Sequence, residues 1–127
     1  MEHEVAFAVF DRVLGALGLI REDRKHRNER TDQALYALYA ALHETKSYIQ
    51  DLDSGKKRER SRELAIAKLW HDASVPLRDI DRDLADRCFI KGSYWLEPDT
   101  WTDMMIKRKR IKLDQVLKST RDLLMKS

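Results

Sequence analysis

The sequence predicts an all-α protein: one domain, residues 1–127, folded as a single antiparallel bundle of four to five helices. Three observations predict it. Apolar residues recur at helical spacing in five successive stretches. Only four Gly and two Pro punctuate 127 residues, whereas a sandwich or small barrel needs a turn signal about every 8–12 residues. Charged residues make up 37% of the chain against the ~25% usual in globular proteins, and narrow helices have the surface to carry them.

The first predicted helix covers residues 4–20. Ala6, Phe10, Val13, Leu17 and Ile20 share one face, with Val9 and Leu14 widening it. Gly15 and Gly18 weaken its end or admit a close neighbour. A charged stretch, residues 21–30, follows as a connector or an exposed helical continuation.

The second helix is the clearest. Leu35, Leu38, Leu42, Thr45, Ile49 and Leu52 alternate at spacings of three and four, the seam of a helix lying nearly parallel or antiparallel to its neighbours. Thr31 or Asp32 can cap it, and Ser54-Gly55 is a natural stop. Basic residues 56–62 open the third helix, where Ile66, Leu69, Trp70, Ala73 and Leu77 share a face. Leu64 and Ala67 lie on the other side and suggest burial on two sides. Pro76 is expected to kink this helix or to end it near Ser74.

The fourth helix begins between residues 78 and 81. It aligns Leu84, Cys88 and Trp95 if it runs through Gly92, and Asp83–Arg87 is an i,i+4 ion pair. Leu96-Glu97-Pro98-Asp99 reads as a turn. Thr100 with Asp103 resembles a capping box opening a fifth helix that runs unbroken to about residue 125, with Ile106, Leu113, Val116, Leu117, Thr120 and Leu124 inward.

The totals bound the function. A net charge of +3, from 25 basic and 22 acidic residues, requires no polyanionic partner. The single cysteine, Cys88, forms no internal disulfide and suits a reducing compartment. Glu2 and Glu4 stand where a secretory signal is positive, and Asp11-Arg12 interrupts the apolar run after them, so a buried helix is expected there rather than a membrane span. A cytoplasmic protein with no membrane association follows as the expectation.

Four groups of residues are candidates for function. Tyr36, Tyr39, His43, Ser47 and Gln50 lie beside the seam of the second helix and form either a half-wet partner surface or the ordinary boundary of core and solvent. Tyr94, Trp95 and Trp101 make the densest aromatic cluster, either a protein-partner anchor or a plug for the end of the bundle. Lys56, Lys57 and Arg58, with Lys107, Arg108, Lys109, Arg110 and Lys112, form a phosphate-binding face if they converge, and a solvated surface if they do not. Neither an HExxH nor a CxxC pair is present, so no metal and no cofactor is expected.

The fourth group is Arg21-Glu22-Asp23-Arg24-Lys25-His26. Its Arg-x4-His spacing resembles the motif of HEPN-type ribonucleases, which are small helical bundles. Over these six residues the resemblance implies His26 as acid/base and Arg21 as a phosphate ligand.

No Gly-rich phosphate loop, nucleophile elbow or paired-carboxylate cleft is legible. The first expectation is therefore a non-enzymatic module for protein–protein interaction or assembly, with a protein partner or a second copy of itself. A nucleic-acid-binding accessory protein using the basic clusters is the alternative, and the ribonuclease stands third.

Overall fold

In the computed structural model the described residues are 29–126 and Gly15. They form five α-helices: α1 (Glu29–Asp53), α2 (Arg60–Leu77), α3 (Arg82–Leu96), α4 (Asp103–Lys109) and α5 (Leu113–Lys126). A 3₁₀ turn, Pro98–Thr100, precedes α4. No strand occurs among the described residues. The helix expected over residues 4–20, the charged connector after it and the Leu124 side chain lie outside them.

The first three helices run up, down and up, with α2 between its neighbours. Cross-helix contacts fix the directions. At one end of the α1–α2 pair, Arg62 Nη1 donates to Asp51 Oδ2 at 2.6 Å. In the middle, Trp70 Nε1 donates to Thr45 Oγ1 at 2.9 Å. At the other end, Arg30 reaches Asp79 at 3.1 Å. The expected seam of α1 is buried from Leu35 to Ile49, with Leu52 half-buried. It packs on Ile66, Trp70 and Leu77 of α2 and on Leu84, Cys88 and Trp95 of α3. Val116 and Leu117 of α5 close the same core.

Local chemistry explains the boundaries. Gly55 takes φ +98° after α1, a conformation that costs a side chain strain and glycine none. The Asp81 carboxylate accepts from Leu84 N–H at 3.0 Å, an N-cap that starts α3 where the sequence placed it. Gly92 stays inside α3 because the neighbouring helix comes close. A Cβ there would meet the Ala67 carbonyl oxygen of α2 at 2.8 Å and His71 Nε2 at 2.6 Å.

Three expectations are corrected. Of the two outcomes expected at Pro76, the early end near Ser74 does not occur: Pro76 lies inside α2, in its last turn. That turn survives because Leu77 is fully buried and its carbonyl accepts from the N–H groups of Ile80 and Asp81. The fifth helix is two helices. Arg110 adopts a left-handed conformation, φ 57°, and its N–H closes α4 onto Ile106 and Lys107, the pattern of a helix C-terminus. The cap of α4 is Thr102, whose hydroxyl accepts from Met105 N–H at 3.1 Å. Thr100 belongs to the 3₁₀ turn instead.

Candidate functional site

The seam of α2 contains a residue that the apolar count passes over. Glu63 precedes Ile66, Trp70, Ala73 and Leu77 at the same three-four spacing and is buried. Four donors hold it. Tyr48 Oη donates at 2.7 Å. Arg58 grips both carboxylate oxygens, through Nε at 2.9 Å and Nη2 at 3.1 Å. Arg60 Nη1 adds a bond at 3.2 Å. Paired so, and led by Arg58, the carboxyl falls to about 2. Arg60 also donates to the carbonyls of Trp95 and Leu96, the open end of α3, so one cluster joins three helix ends.

Lys91 is the second charge on a seam. Leu84, Cys88, Lys91 and Trp95 alternate four-three-four along α3, and Lys91 is buried with them. Its Nζ donates to the Ile111 carbonyl at 2.6 Å and lies 5.7 Å from the centre of the Trp70 ring, a cation–π distance. One turn earlier the buried Arg87 donates from Nε to the Arg110 carbonyl at 2.9 Å and from Nη1 to Ser119. These two cations bind successive carbonyls of the α4–α5 connector and hold α5 against α3. Sequence reading missed Glu63 and Lys91. The available signal was a charge standing at a seam position.

Glu63 and Lys91 line one half-open cleft of about 630 Å³. It lies at the end of the bundle, where the last turns of α1 and α3 meet α4 and the start of α5. Ile49, Leu52, Ile106 and Leu113 supply apolar wall, Tyr94 and Trp95 aromatic wall, and Asp53, Asp103 and Asp114 negative charge.

The aromatic cluster divides. The Trp95 indole is core, 7% exposed, packed edge-on against Tyr48 at 5.8 Å and Tyr94 at 5.3 Å. It is thus part of the bundle core rather than an exposed side chain. Trp101 is half-buried and lies edge-on to Tyr94 at 6.1 Å, so the segment folds over the bundle end. Tyr36 and His43 are exposed and Tyr39 half-buried. Tyr39 stacks on His43 at 6.0 Å, and Arg62 donates to Ser47 at 3.4 Å. This face lies at the margin of the core.

The basic residues also divide. Lys56 pairs with Asp51 at 3.5 Å, Arg58 with Glu63 and with Asp99 at 3.1 Å, and Arg110 with Asp83 at 2.6 Å. Lys57, Lys107, Arg108 and Lys109 are exposed, and no carboxylate among the described residues pairs with them. Lys112 is half-buried. Arg21 and His26 lie outside the described residues.

A different surface gathers exposed apolar side chains. Leu64 and Val75 of α2 are 43% and 59% exposed, and Phe89 and Leu96 of α3 are 50% and 42% exposed. Leu64, His71 and Val75 fall on one face of α2, as Phe89, Ser93 and Leu96 do on α3. His71 joins the two rows: its ring lies 4.6 Å from that of Phe89, and its Nε2 is 3.4 Å from Ser93 Oγ. The result is a row of exposed apolar side chains about 16 Å long at the helical rise, a ridge interrupted on α2 by the exposed Lys68.

Among the described residues no group of three or more His, Cys, Asp or Glu side chains could hold a metal ion. None of the described helices is long and apolar enough to cross a membrane. No family model, curated protein or solved structure matches the chain.

Proposed function

We propose that the chain is a small non-enzymatic interaction module that recognises another protein, or its own copy, through the ridge of α2 and α3. The observation that carries this reading is the alignment of Leu64, Val75, Phe89 and Leu96 on one surface. Apolar side chains exposed singly are ordinary, whereas several gathered on one surface favour a contact there. Phe89 stands near the middle of the strip, held by His71. A large aromatic in a central position is where binding energy concentrates.

The test is capture of partners from native lysate on the tagged chain at near-physiological salt, in nuclease-treated and untreated halves, with light scattering on the purified chain. The expected outcome is a stoichiometric protein, or a dimer of the chain, that survives nuclease and is lost in Phe89→Glu. A monodisperse monomer that captures nothing counts against the reading, as does capture that Phe89→Glu leaves unchanged.

One observation favours a second reading. Lys107, Arg108 and Lys109 project from α4 without carboxylate partners among the described residues, and such cations suit phosphate contacts. On that reading nucleic acid is captured, its affinity falls steeply with salt, and changing all three residues to Gln removes it.

A further inference from the structure

Two residues that line the end cleft carry buried hydrogen-bond donors short of acceptors among the described residues. Lys91 has three N–H donors and no acceptor of its own. One donor goes to the Ile111 carbonyl, and no carboxylate among the described residues lies within ion-pair distance. Trp95 Nε1 is a buried donor with no hydrogen-bond partner among the described residues, although buried N–H groups are nearly always paired. The two residues stand four apart on α3 and so share one face of it. Both line the same cleft.

We propose that this cleft binds a small apolar monocarboxylate, its carboxylate held by the Lys91 ammonium and the Trp95 indole N–H. A carboxylate offers two oxygens and only accepts, which is the complement of these two groups. The volume, about 630 Å³, falls in the range of small-molecule sites, roughly 300–1,000 Å³. The apolar body rests on Ile49, Leu52, Ile106 and Leu113.

The charges in the lining restrict the ligand further. Asp99 is tied to Arg58, but Asp53, Asp103 and Asp114 also face the cleft. With Lys112 as the further cation in the lining, these carboxylates oppose added negative charge and so favour a single carboxylate over a dicarboxylate or phosphate. Burial draws the Lys91 ammonium down to about 8, the mark of a cation short of partners that an anion would restore. The inference is independent of the ridge, which lies on the outer face of α2 and α3.

The test uses the full chain labelled with ¹⁵N. Its three tryptophans give three indole N–H signals, and Trp95→Phe identifies one of them. The probes are 3-phenylpropanoate, 3-phenylpropan-1-ol and inorganic phosphate. The expected result is a saturable movement of the Trp95 signal with the carboxylate alone, weakened about tenfold or more in Lys91→Met, as loss of a charge-assisted bond implies. No movement at millimolar carboxylate overturns the proposal. So does alcohol binding as tight as that of the acid, or affinity unchanged in Lys91→Met. Should that variant fail to fold, Ile106→Trp replaces it, because Ile106 is a half-buried wall residue and a larger ring there fills the cleft. Loss of the shift then supports the site, and a retained shift overturns it.

Discussion

Glu63 and Lys91 carry opposite charges into similar places, and their environments set opposite pH dependences. Glu63 is surrounded by donors, and its carboxyl sits at about 2 against the ordinary 4.5. Its stabilisation is complete above pH 4.5 and is lost as pH falls toward 2. Glu63→Gln should flatten that acid limb of the stability curve and cost about 2 kcal/mol at neutral pH. That is less than the roughly 3–5 kcal/mol for breaking a fully buried pair, because Arg58 and Arg60 are about half exposed and recover water. Urea midpoints from neutral pH to pH 2 measure both effects. Lys91 has the reverse sign. Its ammonium is drawn from 10.5 to about 8, so between those values the unfolded chain binds more protons and stability rises with pH. Burial lifts the Cys88 thiol from 9.0 to about 12, which opposes that rise above pH 9. The contribution of Lys91 is therefore read as the difference between wild type and Lys91→Met. That variant should be relatively most stabilised at pH 7, with its advantage shrinking as pH passes 8. A constant difference across that range would remove Lys91 from the titration.

At the scale of elements, the closest approach is that of α3 to α2 at Gly92. Gly92→Ala gains about 1 kcal/mol of helix propensity but places a Cβ 2.8 Å from the Ala67 carbonyl oxygen. His71 can turn aside, but a backbone oxygen inside a helix cannot. Overpacking of this kind costs about 1–3 kcal/mol, so the variant should melt lower than wild type. A higher melting temperature would mean that the two helices separate cheaply. The same elements mark how far the sequence could be read. The α1 seam and the stop at Gly55 were legible, because each rests on spacing or on one residue's backbone preference, whereas the passage of α3 through Gly92 was open, since glycine alone disfavours a helix interior. The break at Arg110 was not legible. A left-handed arginine is a poor local choice, and what favours it is tertiary: Arg87 and Lys91 of α3 bind the Arg110 and Ile111 carbonyls. The cleft was illegible for a related reason, since its walls come from segments as far apart as Ile49 and Asp114. The ridge was half legible. Leu64 was seen to face away from the α2 seam but was expected to be buried on that second side, whereas it is 43% exposed, and its alignment with Phe89 and Leu96 depends on how α3 lies against α2.

The whole bundle can be followed through Cys88, the sole cysteine. Its side chain is fully buried, and burial holds the thiol at about 12, so almost none is thiolate at pH 8. Thiolate is the reactive form. A disulfide reagent should therefore label the protein only through an opening that exposes α3. Cys88 sits in one core cluster with Leu38 and Leu42 of α1, Trp70 of α2 and Leu117 of α5. If these helices separate as one unit, labelling reports the global free energy of unfolding. Its dependence on urea then has the same slope as equilibrium unfolding, because the slope follows the surface exposed. A shallower slope would mean that Cys88 is uncovered by a smaller motion. The natural one is departure of α5, which the carbonyl bonds of Arg87 and Lys91 restrain. Labelling of Lys91→Met separates the two cases. Under global opening its rate changes only as its overall stability does, whereas under local opening it labels faster than the change in its overall stability accounts for.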